Sequence, residues 1–277
     1  MVAPIFSYIQ RQSPLHRISG AAKLIFFLLW STAAMVTFDT RLLLAMSLVS
    51  IALFAISKIK WRDVSVMITF ILFFLIFNMV AIFLFSPLQG VEIYGTKTVL
   101  FELTPRYIVT GEQLLYQLNV ILRYVVMVPT ALLFIATTHP SEFAASLNKI
   151  GISYKISYSV ALALRYIPEI QRNFQHISKS QQARGVEMSK KAPIFKRVKN
   201  AVLIVTPLIF SSLENIEIIT NAMELRGFGR HQKRTWYWGK PFGKQDWIAM
   251  VFGVSILLVA ILLGVVSGTR FWNPFAT

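Results

Sequence analysis

Two short segments each place an arginine directly before a glycine at the end of a helical pattern. The first segment is QQARGVEMSKK, with Arg184 and Gly185, and the second is AMELRGFGR, with Arg226 and Gly227. Glycine is favoured just past a helix end because it adopts the left-handed conformation without a steric penalty. Arginine offers a rigid fork of donors that suits carboxylates and carbonyls on a partner. The two segments are therefore either docking ends or two ordinary basic helix ends, whose arginines suit the negative end of the helix dipole.

A third arginine lies inside an apolar run. Arg123 falls about midway along a predicted membrane span, where an ionisable side chain is costly and usually faces the protein interior. One interpretation is a gate or a bond to another helix, with Asn78 or Asn119 as candidate partners. The other is a structural tie, or a span whose true limits place Arg123 at its edge. We expect the structural tie, because the neighbouring apolar runs contain no other ionisable residue.

Further charged residues accompany the Arg-Gly segments. Arg165 and Glu169 lie four positions apart around Pro168, a spacing that allows an ion pair on a helix. Glu224 lies two positions before Arg226 and either orients that arginine or is solvated. We expect structural or coupling roles for these residues.

Several classes of catalytic and binding site have no counterpart in the sequence. No segment matches the phosphate loop G-x-x-x-x-G-K-[ST], so energy from ATP would have to come from another subunit. Cysteine is absent, which excludes disulfides and thiolate metal sites. No two histidines are spaced as metal ligands four apart on a helix; they are His16, His139, His176 and His231. We therefore expect no metal, no cofactor and no enzymatic activity.

The composition indicates a membrane protein. Hydrophobic residues make up 55% of the 277 residues and charged residues 14%, against about 25% charged in a typical soluble domain. The net charge of +16 does not indicate nucleic acid, because the basic residues lie between apolar spans. We expect a lipid bilayer as the surroundings and no nucleic-acid partner.

The apolar segments predict an all-α polytopic membrane protein with about five transmembrane helices. A span needs roughly 17–25 residues; the candidates are residues 24–38, 42–59, 64–85, 114–137 and 247–266. They divide the chain into four N-terminal spans (1–138), a cytoplasmic coupling region (139–246) and a C-terminal span (247–277). More than half of the 28 Lys and Arg residues lie in the second part, so the positive-inside tendency predicts that this region and the N-terminus are cytoplasmic. The loop 86–113 would then be external, with a small hairpin around Gly95.

The coupling region predicts amphipathic helices. One begins at Pro140 and ends at Gly151, and the next carries an apolar stripe and is kinked or restarted near Pro168. A third pattern follows Pro193. Within it, residues 201–213 are apolar for only 13 positions around Pro207, so we expect an interfacial helix rather than a sixth span.

Two longer stretches resemble a known family. The segments TTHPSEFAASLNKIGISYKISYSVALALRYIPEIQRNFQHISKSQQARG and VTPLIFSSLENIEIITNAMELRGFG are similar to the signature of the transmembrane T component of energy-coupling factor transporters. In that family an Ala-Arg-Gly-like triplet ends each coupling helix. The triplets map here onto Ala183, Arg184 and Gly185 and onto Leu225, Arg226 and Gly227, the second with Leu in place of the usual small residue. The N-terminal LHRISGAAKL matches the family's entry motif only at Lys23.

The resemblance implies a mechanism and partners. Two ABC-type ATPase subunits would each receive one coupling-helix end, and their ATP-driven closure would move a substrate-binding membrane subunit, the S component. The chain itself would be a non-catalytic coupling subunit of a vitamin or transition-metal importer in a prokaryotic cell membrane.

Two alternatives remain open from the sequence. An ordinary ABC permease would form its own translocation path, and would be expected to use one coupling helix per subunit of a symmetric pair. A membrane-embedded enzyme would need convergent acids, a metal cluster or a nucleophile–base pair in the spans, where Arg123 is the ionisable residue found.

Overall fold

The computed structural model describes residues 13–102, 107–186, 193–231, 235–237, 239–266, 272 and 274. Helices dominate this part of the chain, and one small antiparallel pair of strands accompanies them. In chain order the elements are α1 (Pro14–Arg17), α2 (Gly20–Val36), α3 (Thr40–Ile56), α4 (Trp61–Phe85), α5 (Gln89–Tyr94), β1 (Val99–Glu102), β2 (Ile108–Thr110), α6 (Gly111–Thr137), α7 (Pro140–Lys149), α8 (Tyr154–Ala183), α9 (Ile194–Leu225) and α10 (Lys244–Val266).

Several helices are long and apolar enough to cross a bilayer. Among the described residues these segments are Val64–Phe85, Gly111–Thr137, Val198–Leu225 and Lys244–Val266. Helices α2 and α3 are also apolar, and each has 17 residues, which is close to the lower limit of about 17 for a span. The predicted class, an all-α polytopic membrane protein, is confirmed.

The apolar run 201–213 belongs to a longer helix, so its 13 residues do not by themselves exclude a span. Pro207 does not end the helix but lies inside α9, which has 32 residues and contains one of the candidate spans. Proline is tolerated within apolar helices because neighbouring groups satisfy the backbone carbonyl that it leaves free. Likewise, α8 continues through Pro168 for 30 residues instead of restarting there.

The hairpin expected around Gly95 is displaced. Gly95 has a φ of +71° and ends the short helix α5, and the strands that pair are β1 and β2, with Val99 opposite Thr110. The helix forms because α5 packs on α6 and buries Gly90 and Tyr94. A Cβ at Gly90 would stand 2.5 Å from the backbone of Glu112, so only glycine permits this close approach.

The described residues divide into two compact units. One consists of Met1–His139 with Lys240–Thr277, and the other of Pro140–Gly239. In the first unit, α2 packs against α10 and α6, and α3 packs against α6. Its core surrounds Trp30, which is fully buried and donates from Nε1 to Ser50 Oγ at 3.0 Å. Small residues such as Ala33, Ala34 and Ala260 line this core and allow close helix packing.

The second unit is built from three helices. Helix α7 packs on α8, and α8 packs on α9. Both long helices keep apolar side chains exposed along their length, including Ile156 and Phe174 on α8 and Ile209 and Leu213 on α9. Contiguous exposed apolar surface of this kind marks contact with a membrane or with another protein.

Candidate functional site

The first Arg-Gly segment ends α8 in a defined turn. Arg184 is the C-cap, and Gly185 follows it in the left-handed region with φ +85°. The N–H of Gly185 donates to the carbonyl of Gln182, and the N–H of Val186 donates to the carbonyl of Gln181, both at 3.0 Å. This pair of bonds is the Schellman motif. Arg184 is exposed at its tip.

The second segment ends α9 in the same way. Arg226 is the C-cap, and Gly227 has φ +67°. The N–H of Gly227 donates to the carbonyl of Glu224 at 2.8 Å, and the N–H of Phe228 donates to the carbonyl of Met223 at 2.9 Å. Both helices therefore end where the sequence predicted, with an exposed arginine at the same position of the same turn.

A third helix end makes the same turn without arginine. Helix α7 closes with Gly151 at φ +105°, and Gly151 and Ile152 donate to the carbonyls of Asn148 and Leu147. The residue in the capping position is Ile150. The turn itself therefore does not require arginine.

The residue before each arginine is also exposed. Ala183 and Leu225 occupy the last helical position, and Leu225 is 90% exposed. All three residues of the first triplet are exposed, as are Leu225 and Arg226 of the second, while Gly227 is half-buried.

Aromatic packing supports the second end. The ring of Phe228 lies 4.8 Å from that of Tyr158 and 5.9 Å from that of Tyr154, and Tyr154 in turn contacts Trp236 at 5.4 Å. Trp236 Nε1 donates to Asn148 Oδ1 at 3.1 Å. The chain leaving Arg226 is therefore held against the beginning of α8.

The first end has no comparable support in its sequence. No aromatic residue occurs between Lys179 and Met188. Aromatic pairs contribute about 0.5–1.5 kcal/mol each beyond their buried area, so the rings around Phe228 stabilise the second end.

A cleft between α8 and α9 collects several of the predicted residues. It encloses about 410 Å³, and its walls include Arg165, Glu169 and Arg226 together with Tyr166 and Met223. Because α8 and α9 pack against each other, residues far apart in sequence meet here. The proximity of Arg165 and Glu169 to Arg226 was not predicted.

Two more residues singled out from the sequence, Pro168 and Glu224, lie next to or close to the residues of this cleft in sequence. Pro168 lies in α8 one residue before Glu169, exposed and within the unbroken helix. Glu224 supplies the carbonyl that closes the second turn, while its side chain is exposed.

Arg123 lies elsewhere, in the first unit, where it contacts the end of α2. Its Nη2 donates to the carbonyl of Thr37 at 2.9 Å, at the end of α2, and the guanidinium stands 3.9 Å from the ring centroid of Phe38. Asn119, one of two candidate partners named from the sequence, is not the hydrogen-bond partner of Arg123. Asn119 donates to the Tyr94 hydroxyl at 2.9 Å instead. A helix C-terminus attracts arginine because its last carbonyls are otherwise unsatisfied.

Two buried ionisable groups of the first unit bond to helix ends; Asp246 was not singled out from the sequence, and Lys23 was noted only for its match to the entry motif. Asp246 accepts from the backbone N–H groups of Ser19 and Gly243, both at 2.8 Å, and joins the beginnings of α2 and α10. An acid three residues after a helix start is the signal that reveals such a cap. Lys23 Nζ donates to the carbonyl of Thr137 at 2.9 Å, at the end of α6.

No metal site is evident in the part of the chain that the structure describes. No group of three His, Asp or Glu side chains there is close enough to hold an ion. The second unit presents the side chains of Arg184 and Arg226 at its surface.

A family model and several curated relatives that match this chain are all described as transport proteins. Residues 11–237 match the family model described as CbiQ, cobalt transport protein. Curated relatives named energy-coupling factor transporter transmembrane protein EcfT align along most of the chain. The one from Exiguobacterium sibiricum is 28% identical over 92% of this chain and 94% of its own length. The one from Streptococcus equi is 28% identical over 90% and 92%, and the one from Thermotoga maritima 23% over 92% and 91%.

Proposed function

The chain belongs to the family of CbiQ cobalt transport proteins and transmembrane T components of energy-coupling factor transporters, and we propose that it transmits ATP-driven motion to a substrate-binding S component. Two ABC-type ATPase subunits supply the motion. The imported substrate is a vitamin or a transition-metal ion, which the S component recognises. The chain itself is non-catalytic in this proposal.

The observation that carries the proposal is the pair of exposed arginines on identical helix ends. Arg184 and Arg226 each follow an exposed residue and precede a left-handed glycine, whereas the third such end carries Ile150. Two matching ends suit two similar grooves, one on each ATPase subunit. In such a groove each guanidinium would bond carboxylates or carbonyls in a bidentate manner.

The contact between α8 and α9 supports a route for the motion. The two helices share the cleft that contains Arg165, Glu169 and Arg226. When the ATPase subunits approach each other, the two docked ends move with them, and rigid helices carry the displacement along their length. The exposed apolar faces of α8 and α9 then offer the S component a surface of the helix-in-groove kind.

The orientation follows from charge. The second unit and the N-terminus face the cytoplasm of a prokaryotic cell in this proposal, because most of the Lys and Arg residues lie there and ATP is cytoplasmic. Helix α9 then lies along the membrane surface as an interfacial helix rather than across the bilayer. An ordinary ABC permease is the less favoured alternative, because it would need one coupling helix and this chain presents two.

Charge reversal tests the proposal. The double variant Arg184→Glu with Arg226→Glu should abolish ATP-driven uptake in the reconstituted complex and release the ATPase subunits. Losing one partner of a desolvated, hydrogen-bonded charge pair costs about 2–5 kcal/mol, so each single variant should weaken ATPase binding at least ~30-fold.

The matched control is Arg172→Glu, an exposed arginine on α8 away from the helix end. It changes the net charge equally and should leave ATPase binding intact. Membrane insertion and elution as a single species verify folding for each variant. Unchanged uptake by the double variant would refute the docking model.

A further inference from the structure

We propose that the first unit binds one anionic phospholipid, with an acyl chain in an apolar cleft and the phosphate at a cationic rim. The cleft encloses about 310 Å³. Its walls are almost entirely hydrocarbon, supplied by Leu15, Phe26, Phe27, Phe134, Ile248 and Phe252. Phe27 and Phe134 stack on each other at 5.8 Å and form one wall.

The cleft lies near one end of the helices that form it. It is lined by the first turns of α2 and α10 and by the last turns of α3 and α6. These helices include two of the candidate spans, α6 and α10. An apolar cleft within a turn or two of a span's end lies at the depth where acyl chains meet their headgroups.

Cationic side chains lie at the same end. Exposed Arg17 falls between the lining residues Leu15 and Ile18, and Lys240 Nζ lies 3.5 Å from the carbonyl of His16. Exposed Lys244 precedes the lining residue Gln245.

The carboxylate of Asp246, although close in sequence, does not neutralise these cationic side chains at the surface. Asp246 is buried and already accepts two backbone N–H groups. The rim is therefore complementary to a phosphate, and basic side chains close to the membrane surface attract anionic lipids.

Both features together favour an anionic phospholipid over other occupants. A free phosphate would use the rim and leave the hydrocarbon walls unused. A neutral phospholipid would use the walls and gain nothing from the basic residues.

Native mass spectrometry of the delipidated full-length chain tests the proposal. Phosphatidylglycerol and phosphatidylcholine with identical acyl chains are titrated separately, with inorganic phosphate as a competitor. We expect one phosphatidylglycerol to be retained at least 10-fold more tightly than phosphatidylcholine and not to be displaced by phosphate. Equal retention of the two lipids, or displacement by phosphate, would overturn the proposal.

Two variants and a control separate the wall from the rim. Ala249→Phe, at a half-buried lining position, should remove retention of both lipids by filling the cleft. Arg17→Gln with Lys240→Gln should lower phosphatidylglycerol retention to the phosphatidylcholine level. Lys60→Gln, at an exposed lysine of the same unit that does not line the cleft, should change nothing. Wild-type preference in the rim variant contradicts the proposal even if Ala249→Phe fails to fold.

Discussion

Three glycines provide a matched test of whether two helix ends have a role beyond folding. Each of these glycines has a positive φ and forms the left-handed position of a Schellman turn; they are Gly151, Gly185 and Gly227. A Cβ at any of them would meet no atom within 4 Å. Replacing each with alanine therefore costs conformational energy alone. For an L-residue in the left-handed region this cost is about 1–2 kcal/mol.

The three substitutions should lower stability alike but affect docking differently. Gly185→Ala and Gly227→Ala disturb turns that carry Arg184 and Arg226, whereas Gly151→Ala disturbs a turn capped by Ile150. If docking requires the closed turn, a shift of about 1–2 kcal/mol in the equilibrium between closed and open turns raises the apparent Kd for an ATPase subunit by up to ~5–30-fold. Gly151→Ala should leave that Kd within about twofold of the wild type.

The measurements are thermal unfolding of the purified chain and titration of the chain with ATPase subunits. Thermal unfolding should show similar losses for all three variants, which establishes that the backbone cost is comparable. Equal weakening of ATPase binding by Gly151→Ala would refute the reasoning, because it would assign the effect to general destabilisation. Unchanged binding by Gly185→Ala and Gly227→Ala together would refute it as well.

Two further predictions concern single side chains. Phe228→Ala removes the ring that packs on Tyr158 and should weaken docking through Arg226 while leaving docking through Arg184 unchanged. Crosslinking each end separately to the ATPase subunits measures the two effects. Phe228→Leu, the control, should retain most of the binding. Arg123→Met removes a charged hydrogen bond to the carbonyl of Thr37, so thermal unfolding should show a free energy of unfolding lower by about 1.5–3 kcal/mol. The affinity for the ATPase subunits should not change. A loss of that affinity at unchanged stability would point to a gate instead.

The helix ends were predictable because their signals are local. Gly185 and Gly227 require only the preference of glycine for the left-handed region, and the periodic apolar stripes before them define the helices. The structure places both C-caps at the predicted arginines. The class of the protein was predictable for the same reason, since span length and composition are properties of contiguous sequence.

The failures come from interactions between segments distant in sequence. The apolar run 201–213 was judged as a span by its own 13 residues, although it lies within the 32-residue helix α9. The hairpin was misplaced because alternation around Gly95 does not reveal that α5 packs on α6. The partner of Arg123 is a pair of backbone carbonyls at the end of α2, and residue type gives no indication of which carbonyls lie nearby.

The cleft at Arg226 and the aromatic support of Phe228 depend on how α8 meets α9. Arg165 and Glu169 were noticed only as neighbours of Pro168, one turn apart on a single helix. Nothing local places them beside Arg226. Only the packing of the two helices brings these three charged residues to one cleft.

Site-directed crosslinking measures the central claim most directly. The chain has no cysteine, so Ala183→Cys and Leu225→Cys introduce single reactive groups at the exposed last helical position of each arginine-tipped end. Lys149→Cys is the matched control, because it occupies the same position at the end of α7. In the assembled transporter we expect the double variant to capture two ATPase subunits and each single variant to capture one, with none captured at Lys149→Cys. Capture at Lys149→Cys, or no capture at Ala183→Cys and Leu225→Cys, would contradict the account.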